Sequence, residues 1–481
     1  MTTPLRRSSP HEDKEIGTDA DAAPLSALYR DLKLDIEYLP IERLENYPTN
    51  PHTHPPKQMK PLEGSIDAFG IVAPILIDED DTVIGGHGVL AAAKQAGYVQ
   101  VPVVRLKHLN EAQKKALRIG LNRIGELAGW DRKLLAIEFN NLLDFDAKVS
   151  LDFNLSITGF ALPEIDVLIE EGKDEKADED IVPELSDPPA VRGGDLFVCD
   201  EHRTINGDAR DPAAYAALMG EERAAAGIHD APYNVSITKH VSKSGRHEEF
   251  VMASGELGDQ KHSTFLADFL RRAVEHSKPG TTQSCFMDWR HSVGMITAAR
   301  AVGLRYVNLC VWDKGAGTLG SLYKSQHELV HVFADPRAPV LNNVQLGRFG
   351  RTRTNVWSWP GAVSMRKELL LHPTPKPVGL LAEAIRDVTN RGDIVLDCFS
   401  GSGSTIIAAA KTGRRAYAIE LDPHYVEVSI KRRECWSGQI ARHAETGLSL
   451  EELRAQRTGS APNIAATTAP RPKVRHRTRA R

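Results

Sequence analysis

The sequence lacks any apolar run of 18 or more residues, the length a helix needs to cross a bilayer, so it predicts no membrane span. Its opening "MTTPLRRSSPHEDKEIGTDADAAP" has no apolar stretch followed by a cleavage site, which predicts a chain that is not secreted. Cysteine is scarce and unpaired: Cys199, Cys285, Cys310, Cys398 and Cys435 form no C-x-x-C pair, which argues against a zinc knuckle and a disulfide framework. A reducing cytoplasm is the expected compartment, and no metal is expected. Large net charge is absent too, at -4 over 481 residues, which argues against a generic nucleic-acid binder but hides an uneven distribution. Acids gather in "EEGKDEKADED", residues 170 to 180, whereas the stretch from Arg454 onward holds eight Lys or Arg and no acid. That basic stretch reads as a solubilising disordered tail or as a sequence-independent phosphate contact.

What is present suggests several segments. Residues 1–34 are polar and predicted disordered. Residues 35–106 alternate strand-like pieces ("IEYLP", "APILID", "VPVVRL") with helical ones ("MKPLEGSIDAFG", "GVLAAAKQAGY"), which predicts a small α/β domain. Apolar residues at helical spacing predict a helical extension over 107–168, and the acidic stretch ending in "SDPPA" reads as a linker over 169–191. From 192 to 440 helices alternate with strand-like runs, which predicts a doubly wound, mostly parallel sheet, and 454–481 is the expected basic disordered tail.

Two segments carry chemistry. In "GIHDAPYNVS", residues 227–236, an acid, a proline and a tyrosine follow a short apolar run; alone this is an ordinary strand-to-turn transition. In "GDIVLDCFSGSGSTIIAAAKTGRRAYAIELDPHYVEVSIKR", residues 392–432, a buried-strand run, a glycine-rich turn, a helix and a second strand form a β-α-β unit. Gly401 and Gly403 let backbone approach a ligand at a helix start, and Glu420, 23 residues after Asp397, is placed to accept hydrogen bonds from a ribose. The third glycine of a dinucleotide fingerprint is missing, since Ile406 stands there, so a nucleoside with a short zwitterionic tail fits better than a pyrophosphate.

In order along the chain, "DAPY", "HPTPKPVGLL" and "LDCFSGSGST" resemble the S-adenosylmethionine-dependent DNA amino-methyltransferases whose catalytic motif precedes the cofactor motif. Lesser matches are "VWDKG" at 311–315, "QHELVHVF" at 326–333 and "NVWSWP" at 355–360, and the resemblance spans roughly 193–436. It implies a Rossmann-like class I methyltransferase fold, S-adenosylmethionine as cofactor and double-stranded DNA as partner. It also implies that Asp397 opens the cofactor loop, that Phe399, Ser400, Gly401 and Gly403 surround the methionine part, and that Glu420 holds the ribose. His372, Pro373, Lys376 and Pro377 would close over the methionyl carboxylate, with Lys376 as counter-charge; Asp208 would lie near the cofactor adenine or serve as a turn residue. The Asp230 carboxylate and the Ala231 carbonyl would accept the two hydrogens of an exocyclic amine, Pro232 would stiffen the turn, and Tyr233 would stack on a base swung out of the helix. The family more often has proline where Ala231 stands, which leaves the acceptor in place but less pre-organised. An initial Asp leans the target toward adenine N6; cytosine N4 and a catalytically decayed DNA-binding adaptor are the alternatives.

Residues 46–106 resemble the ParB-like domain of chromosome-partition proteins, but "GGHG" (Gly85 to Gly88) and "NPHTH" (Asn50 to His54) lack the family's phosphate-binding arginines. These glycines form a tight turn or an anion cradle, and His52, His54 and His87 read as a metal site or, since no carboxylate or cysteine completes a set, as exposed loop histidines. The module would serve DNA engagement or homodimerisation. Target recognition is expected in 235–262 and 334–370, where Arg348, Arg351 and Arg353 would reach phosphates or guanine edges. A restriction partner is not readable from the sequence.

Overall fold

The computed structural model describes residues 32–149, 151, 153–171, 182–183, 188–234, 258–315, 317, 322–349, 351–361 and 375–459. The chain divides into two compact units, residues 1–130 with 150–159, and residues 131–149 with 160–481.

In the first unit lie β1 (Ile36–Pro40), α1 (Pro56–Phe69), β2 (Ile75–Ile77), β3 (Val83–Gly85), α2 (His87–Gln95), β4 (Gln100–Arg105) and α3 (Glu111–Glu126). The strands form one sheet in the order β1-β4-β2-β3, and Ile75, Ile77, Val83, Leu90, Val101 and Val103 fill its core. Helix α1 begins with a proline in its first turn, where the missing N–H costs nothing, and ends at Gly70 with φ +73°. Asn110 and Gln113 form a reciprocal capping box that starts α3.

The second unit holds α4 (Arg132–Val149), α5 (Leu162–Glu171), β5 (Leu196–Cys199), β6 (His202–Asn206), α6 (Pro212–Met219), β7 (Ala224–His229), α7 (Asp259–Glu275), β8 (Ser277–Met287), α8 (Ser292–Ala301), β9 (Arg305–Asp313) and β10 (His327–Ala334). It continues through β11 (Val356–Ser358), α9 (Val378–Val388), β12 (Ile394–Asp397), α10 (Ser404–Lys411), β13 (Arg415–Glu420), α11 (Pro423–Ser437), β14 (Arg442–His443) and α12 (Leu450–Thr458). Its strands make a ten-stranded sheet in the order β11-β9-β10-β8-β7-β12-β13-β6-β5-β14. The middle run β8-β7-β12-β13-β6 is parallel throughout, and antiparallel pairings flank it. Strand residues alternate between two apolar layers: Ile394 and Leu396 join Phe269 on one face, while Val395 joins Leu381 and Ile407 on the other. This is a Rossmann-like, doubly wound and mostly parallel architecture, and it puts the loops after β6, β13, β12, β7 and β8 on one edge, where such sheets hold their ligands.

Three segment expectations need correction. The helical extension does not form one body, because α3 lies in the first unit whereas α4 and α5 lie in the second. Helix α5 is held by buried charge: Asp166 pairs with the fully buried Arg414 at 2.7 Å and with Arg391 at 2.7 Å, and Glu170 pairs with Arg386 at 2.5 Å. The expected linker is ordered at both ends, since its first three residues complete α5 and the amides of Ala190 and Val191 donate to Glu427. The basic tail does not begin at Arg454. Residues 454–458 are helical because Ser449 and Glu452 cap α12, Leu450 and Leu453 are buried, and Arg454 and Arg457 pair with Glu427 and Asp195. Residues 1–31 and 460–481 lie outside the described ones.

Candidate active site

Parallel pairing of β7 with β12 brings the two chemistry-bearing segments side by side, one at the end of each strand. Asp230 follows β7 directly. Its Oδ1 accepts the Tyr233 hydroxyl at 2.7 Å, and its Oδ2 lies 2.5 Å from Lys376 Nζ. Tyr233 also lies 3.1 Å from Glu328 Oε2, and Glu328 Oε1 is 2.6 Å from Lys314 Nζ. Burial by itself raises a carboxylate, yet Lys376 and Lys314 together pull Glu328 down to about 2. Burial works to lower Lys376, and Asp230 and Glu328 outweigh it, so the ammonium is held above its usual value. Burial, reinforced by the same two carboxylates, pushes the Tyr233 phenol well above its usual range, which keeps it a proton donor.

The rest of the motif is anchored from both sides. Ala231 is fully buried in the core, and the Pro232 carbonyl accepts from His262 Nε2 at 3.0 Å. His229, the last residue of β7, is also fully buried. Its Nε2 donates to Gln283 Oε1 at 2.8 Å while its Nδ1 accepts the Cys398 amide at 3.3 Å, which fixes one neutral tautomer. Burial pushes His229 down to about 4. The space is cleared by Gly227: a Cβ there would stand 1.9 Å from Gln283 Oε1.

The glycine loop follows β12. Asp397 accepts the Phe399 amide at 3.0 Å, and burial pushes its carboxyl up to about 7. Glu420 Oε2 accepts the Gly401 amide at 2.7 Å and Oε1 the Asp422 amide at 2.9 Å; burial raises it to about 7 as well. Gly401 has φ +50° and open space at its Cβ position. Gly403, with φ +80°, has a packing reason instead, because a Cβ would meet Ser429 Cβ at 2.8 Å. Ser400 Oγ is buried with no hydrogen-bond partner among the described residues, a cost of about 1–3 kcal/mol that a polar ligand would offset. Phe399 packs edge-on to Phe269 with centroids 4.9 Å apart. An open glycine, an orphaned hydroxyl and two carboxyls fit a nucleoside that carries a polar tail.

A family model described as DNA methylase, of the N6/N4 class, matches residues 226–431, and the ParB-methyltransferase HTH domain model matches 133–193. The type II methyltransferase M2.DpnII of Streptococcus pneumoniae is 31% identical over 186 residues, 37% of this chain and 68% of that protein. The chain belongs to the N6/N4 DNA methylase family. It is a DNA methyltransferase, and S-adenosylmethionine is the family's methyl donor. Its N-terminal part is 41% identical over 83 residues to the ParB-like nuclease domain-containing protein YnaK of Escherichia coli K12, which is 17% of this chain and 95% of that protein. The DNA adenine methyltransferase YhdJ of Escherichia coli K12 is 34% identical over 106 residues, 22% of this chain and 34% of that protein.

Within the methylase unit the expected residues Asp230, Ala231, Pro232 and Tyr233 gather at the end of β7, and Asp397, Phe399, Ser400, Gly401 and Gly403 gather at the end of β12 beside it. Asp208 is tied to its neighbour, Arg210, at 2.6 Å. The loop carrying it is fastened to Glu420 by Asn206 Nδ2 and the Gly207 amide, each 2.9 Å from the Glu420 carbonyl. Lys376 stands against Asp230, a contact that the motif pattern does not disclose, and His372 and Pro373 lie outside the described residues. Arg351 and Arg353 are not presented as a free basic edge: Arg351 reaches Glu383 at 2.8 Å and Asp387 at 2.7 Å, and Arg353 reaches Asp387 at 3.3 Å. Arg348 is exposed, whereas residues 235–257 and 362–370 of the expected recognition segments lie outside the described ones.

Sequence reasoning missed Glu328, Lys314, His229, Gln283 and His262. Only Glu328 and Lys314 left a trace, as charged residues inside two quoted strand-like matches. In the ParB-like unit Gly86, with φ +93°, caps α2, so a tight turn accounts for it, whereas Gly88 lies inside the helix, where a Cβ would meet His54 Nδ1 at 3.2 Å and close packing is the reason. His87 is pushed down to about 4 by burial and is neutral at pH 7.

Proposed function

We propose that this protein transfers the methyl group of S-adenosylmethionine to N6 of adenine in double-stranded DNA. The observation that carries this reading is the Asp230 carboxylate at the end of β7, beside the cofactor loop at the end of β12. When bound, the cofactor supplies an electrophilic methyl group on a sulfonium. Ser400, Gly401 and Glu420 would hold it, with Glu420 as the ribose acceptor. Asp230 and the Ala231 carbonyl accept the two amine hydrogens and turn the nitrogen lone pair toward the methyl carbon. Methyl transfer to the nitrogen would leave the donor as a neutral thioether, and Asp230 or water would take the one proton that the amine gives up. Positioning supplies most of the acceleration. Tyr233 stacks on the extruded base, a contact of about 1–3 kcal/mol that helps offset unstacking.

The rim of the same edge supports a duplex partner. The loops after β8 and β9 expose Trp289 (53%), Leu322 (82%) and Tyr323 (82%), apolar side chains suited to fill the gap that a departing base leaves, beside the exposed Lys324. The helix-turn-helix match at 133–193 adds a second region suited to hold DNA. The cytoplasm suits five cysteines that are all free.

The test is methyl transfer from labelled S-adenosylmethionine to mixed-sequence duplex DNA, with nucleoside mass spectrometry and an Asp230→Ala control. N6-methyladenine made only by the wild type is the expected result. N4-methylcytosine would overturn the choice of base, and no product despite cofactor binding would overturn the reading in favour of an adaptor.

A further inference from the structure

The acceptor that the target amine needs is already engaged. Asp230 Oδ2 is held by Lys376 Nζ at 2.5 Å, and Lys376 is 7% exposed. The rings of Phe286, Tyr233 and Trp312 surround the ammonium at 5.2, 5.7 and 6.0 Å, so it is shielded from water by aromatic faces that favour a cation. An amine and an ammonium are both donors and cannot share one carboxylate oxygen along the same line. A second carboxylate stands ready: Glu328 Oε2 is 3.4 Å from the same Nζ, and the other Glu328 oxygen is fixed by Lys314.

We propose that Glu328 is a positioning residue that draws Lys376 toward itself when the target base enters, so that the ammonium loosens its short contact with Asp230 and yields that acceptor when a base claims it. The proposal rests on the reading of Asp230 as that acceptor. Closing 3.4 Å to a charged contact of about 2.8 Å takes a shift of roughly 0.6 Å, which lengthens the 2.5 Å contact with Asp230 to at most about 3.1 Å and turns the short ammonium bond toward Glu328. Two carboxylates and two ammonium groups also balance, so the nitrogen that gains a methyl group and partial positive charge meets no uncompensated cation. Strand pairing fixes the geometry, because Glu328 is opposite Trp312 in the β9–β10 ladder, which sets its carboxylate beside Lys314, two residues beyond Trp312.

The experiment uses the full chain and a duplex whose methylated position has been mapped with the wild type; the rate is read on that duplex, and extrusion on a copy with 2-aminopurine beside the target adenine, which keeps its own 6-amino group. Glu328→Gln is expected to lower both the single-turnover rate and the 2-aminopurine signal about tenfold, while affinity for S-adenosylmethionine stays within about twofold. In the Glu328→Gln/Lys376→Met double variant the 2-aminopurine signal is expected to return to near the wild-type level, because the competing ammonium is gone. A merely structural role for Glu328 would not give that rescue. Glu328→Asp, which keeps the charge but shortens the reach, is expected to fall between and serves if the Gln variant does not fold. An unaffected Glu328→Gln enzyme, or a double variant that stays unable to extrude the base, overturns the proposal while leaving methyl transfer standing. So does a Lys376→Met enzyme with intact extrusion and about tenfold weaker cofactor binding, which would put Lys376 on the cofactor. A wild type that binds the cofactor and methylates no base takes down the methyl-transfer reading and the proposal with it.

Discussion

Replacing His229 by Leu tests the link between the catalytic and cofactor loops most directly. His229 is fully buried, and its two nitrogens join Gln283 on β8 to the Cys398 amide at the mouth of the glycine loop. Leucine removes both bonds and strands a carbonyl oxygen and an amide in the core, each at about 1–3 kcal/mol, partly offset by its own apolar burial. The expected net loss is about 2–4 kcal/mol of unfolding free energy, read by urea titration of the intact chain. Gln283→Leu alone is expected to cost a similar amount, and the double variant less than the sum by about 1–3 kcal/mol, because both members of the Nε2–Oε1 pair are then gone and only the Cys398 amide stays unpaired. The wild type should also show a steeper acid-side slope than the Leu variant, which keeps only the shares of the other buried histidines such as His87 and His331. The folded value of about 4 lies below the usual 6.5, so the unfolded chain binds the proton more readily, and stability is full above 6.5 and lost as pH falls toward 4. A loss below about 0.5 kcal/mol for His229→Leu, or strict additivity in the double variant, would refute this account.

Tyr233→Phe keeps the stacking ring and loses the bond to Asp230; a charge-assisted hydrogen bond is worth about 1.5–3 kcal/mol, so kcat is expected to fall roughly tenfold or more with cofactor affinity unchanged. Tyr233→Ala should abolish transfer and still bind cofactor, and parallel loss of cofactor binding would mean that the pocket is misassigned. Glu420, raised by burial to about 7, should make S-adenosylmethionine bind more tightly as pH rises through 7, since the ionised form is the better acceptor for ribose hydroxyls; Glu420→Gln should flatten that profile in calorimetry. The same raised value favours the protonated folded state, so this group's share of stability is full below 4.5 and lost as pH rises through 7. Asp166→Asn leaves the fully buried Arg414 without its carboxylate, and thermal unfolding should report a loss of about 3–5 kcal/mol with catalysis intact at low temperature.

The local parts of the site were legible because they are contiguous. A strand, a glycine turn and a helix suggest a ligand loop within the 18 residues from Ile394 to Lys411, and "DAPY" suggests an acceptor and a stacking ring within four. What stayed hidden depends on partners far along the chain. Arg351 and Arg353 read as a basic edge in "RFGRTRTN" because Glu383 and Asp387, which engage Arg351, come 32 and 36 residues later, one turn apart on α9. Arg454 and Arg457 read as the start of a tail for the same reason, since Glu427 and Asp195 lie on distant elements. Glu328 and Lys314 stood inside quoted matches without a role, because no pattern says that adjacent antiparallel strands end beside Lys376. His229 gave no signal, since a histidine closing a strand shows its two partners only once β8 and β12 flank β7.

Ala231 shows how such contacts bear on function. A proline there would fix φ and stabilise the folded turn by about 0.4–1 kcal/mol through the unfolded chain, and its absence first suggests a loosened or decayed motif. Three contacts replace that constraint: Ala231 is sealed in the core, the Pro232 carbonyl is held by His262, and Tyr233 is held by Asp230. Each hydrogen bond contributes about 0.5–1.5 kcal/mol, so together they match or exceed what proline would add. They act on the folded turn itself, at the residues whose orientation the chemistry needs, whereas proline acts mostly on the unfolded ensemble. Here the histidines on both sides of the motif are buried and bonded, which makes the alanine a compensated substitution.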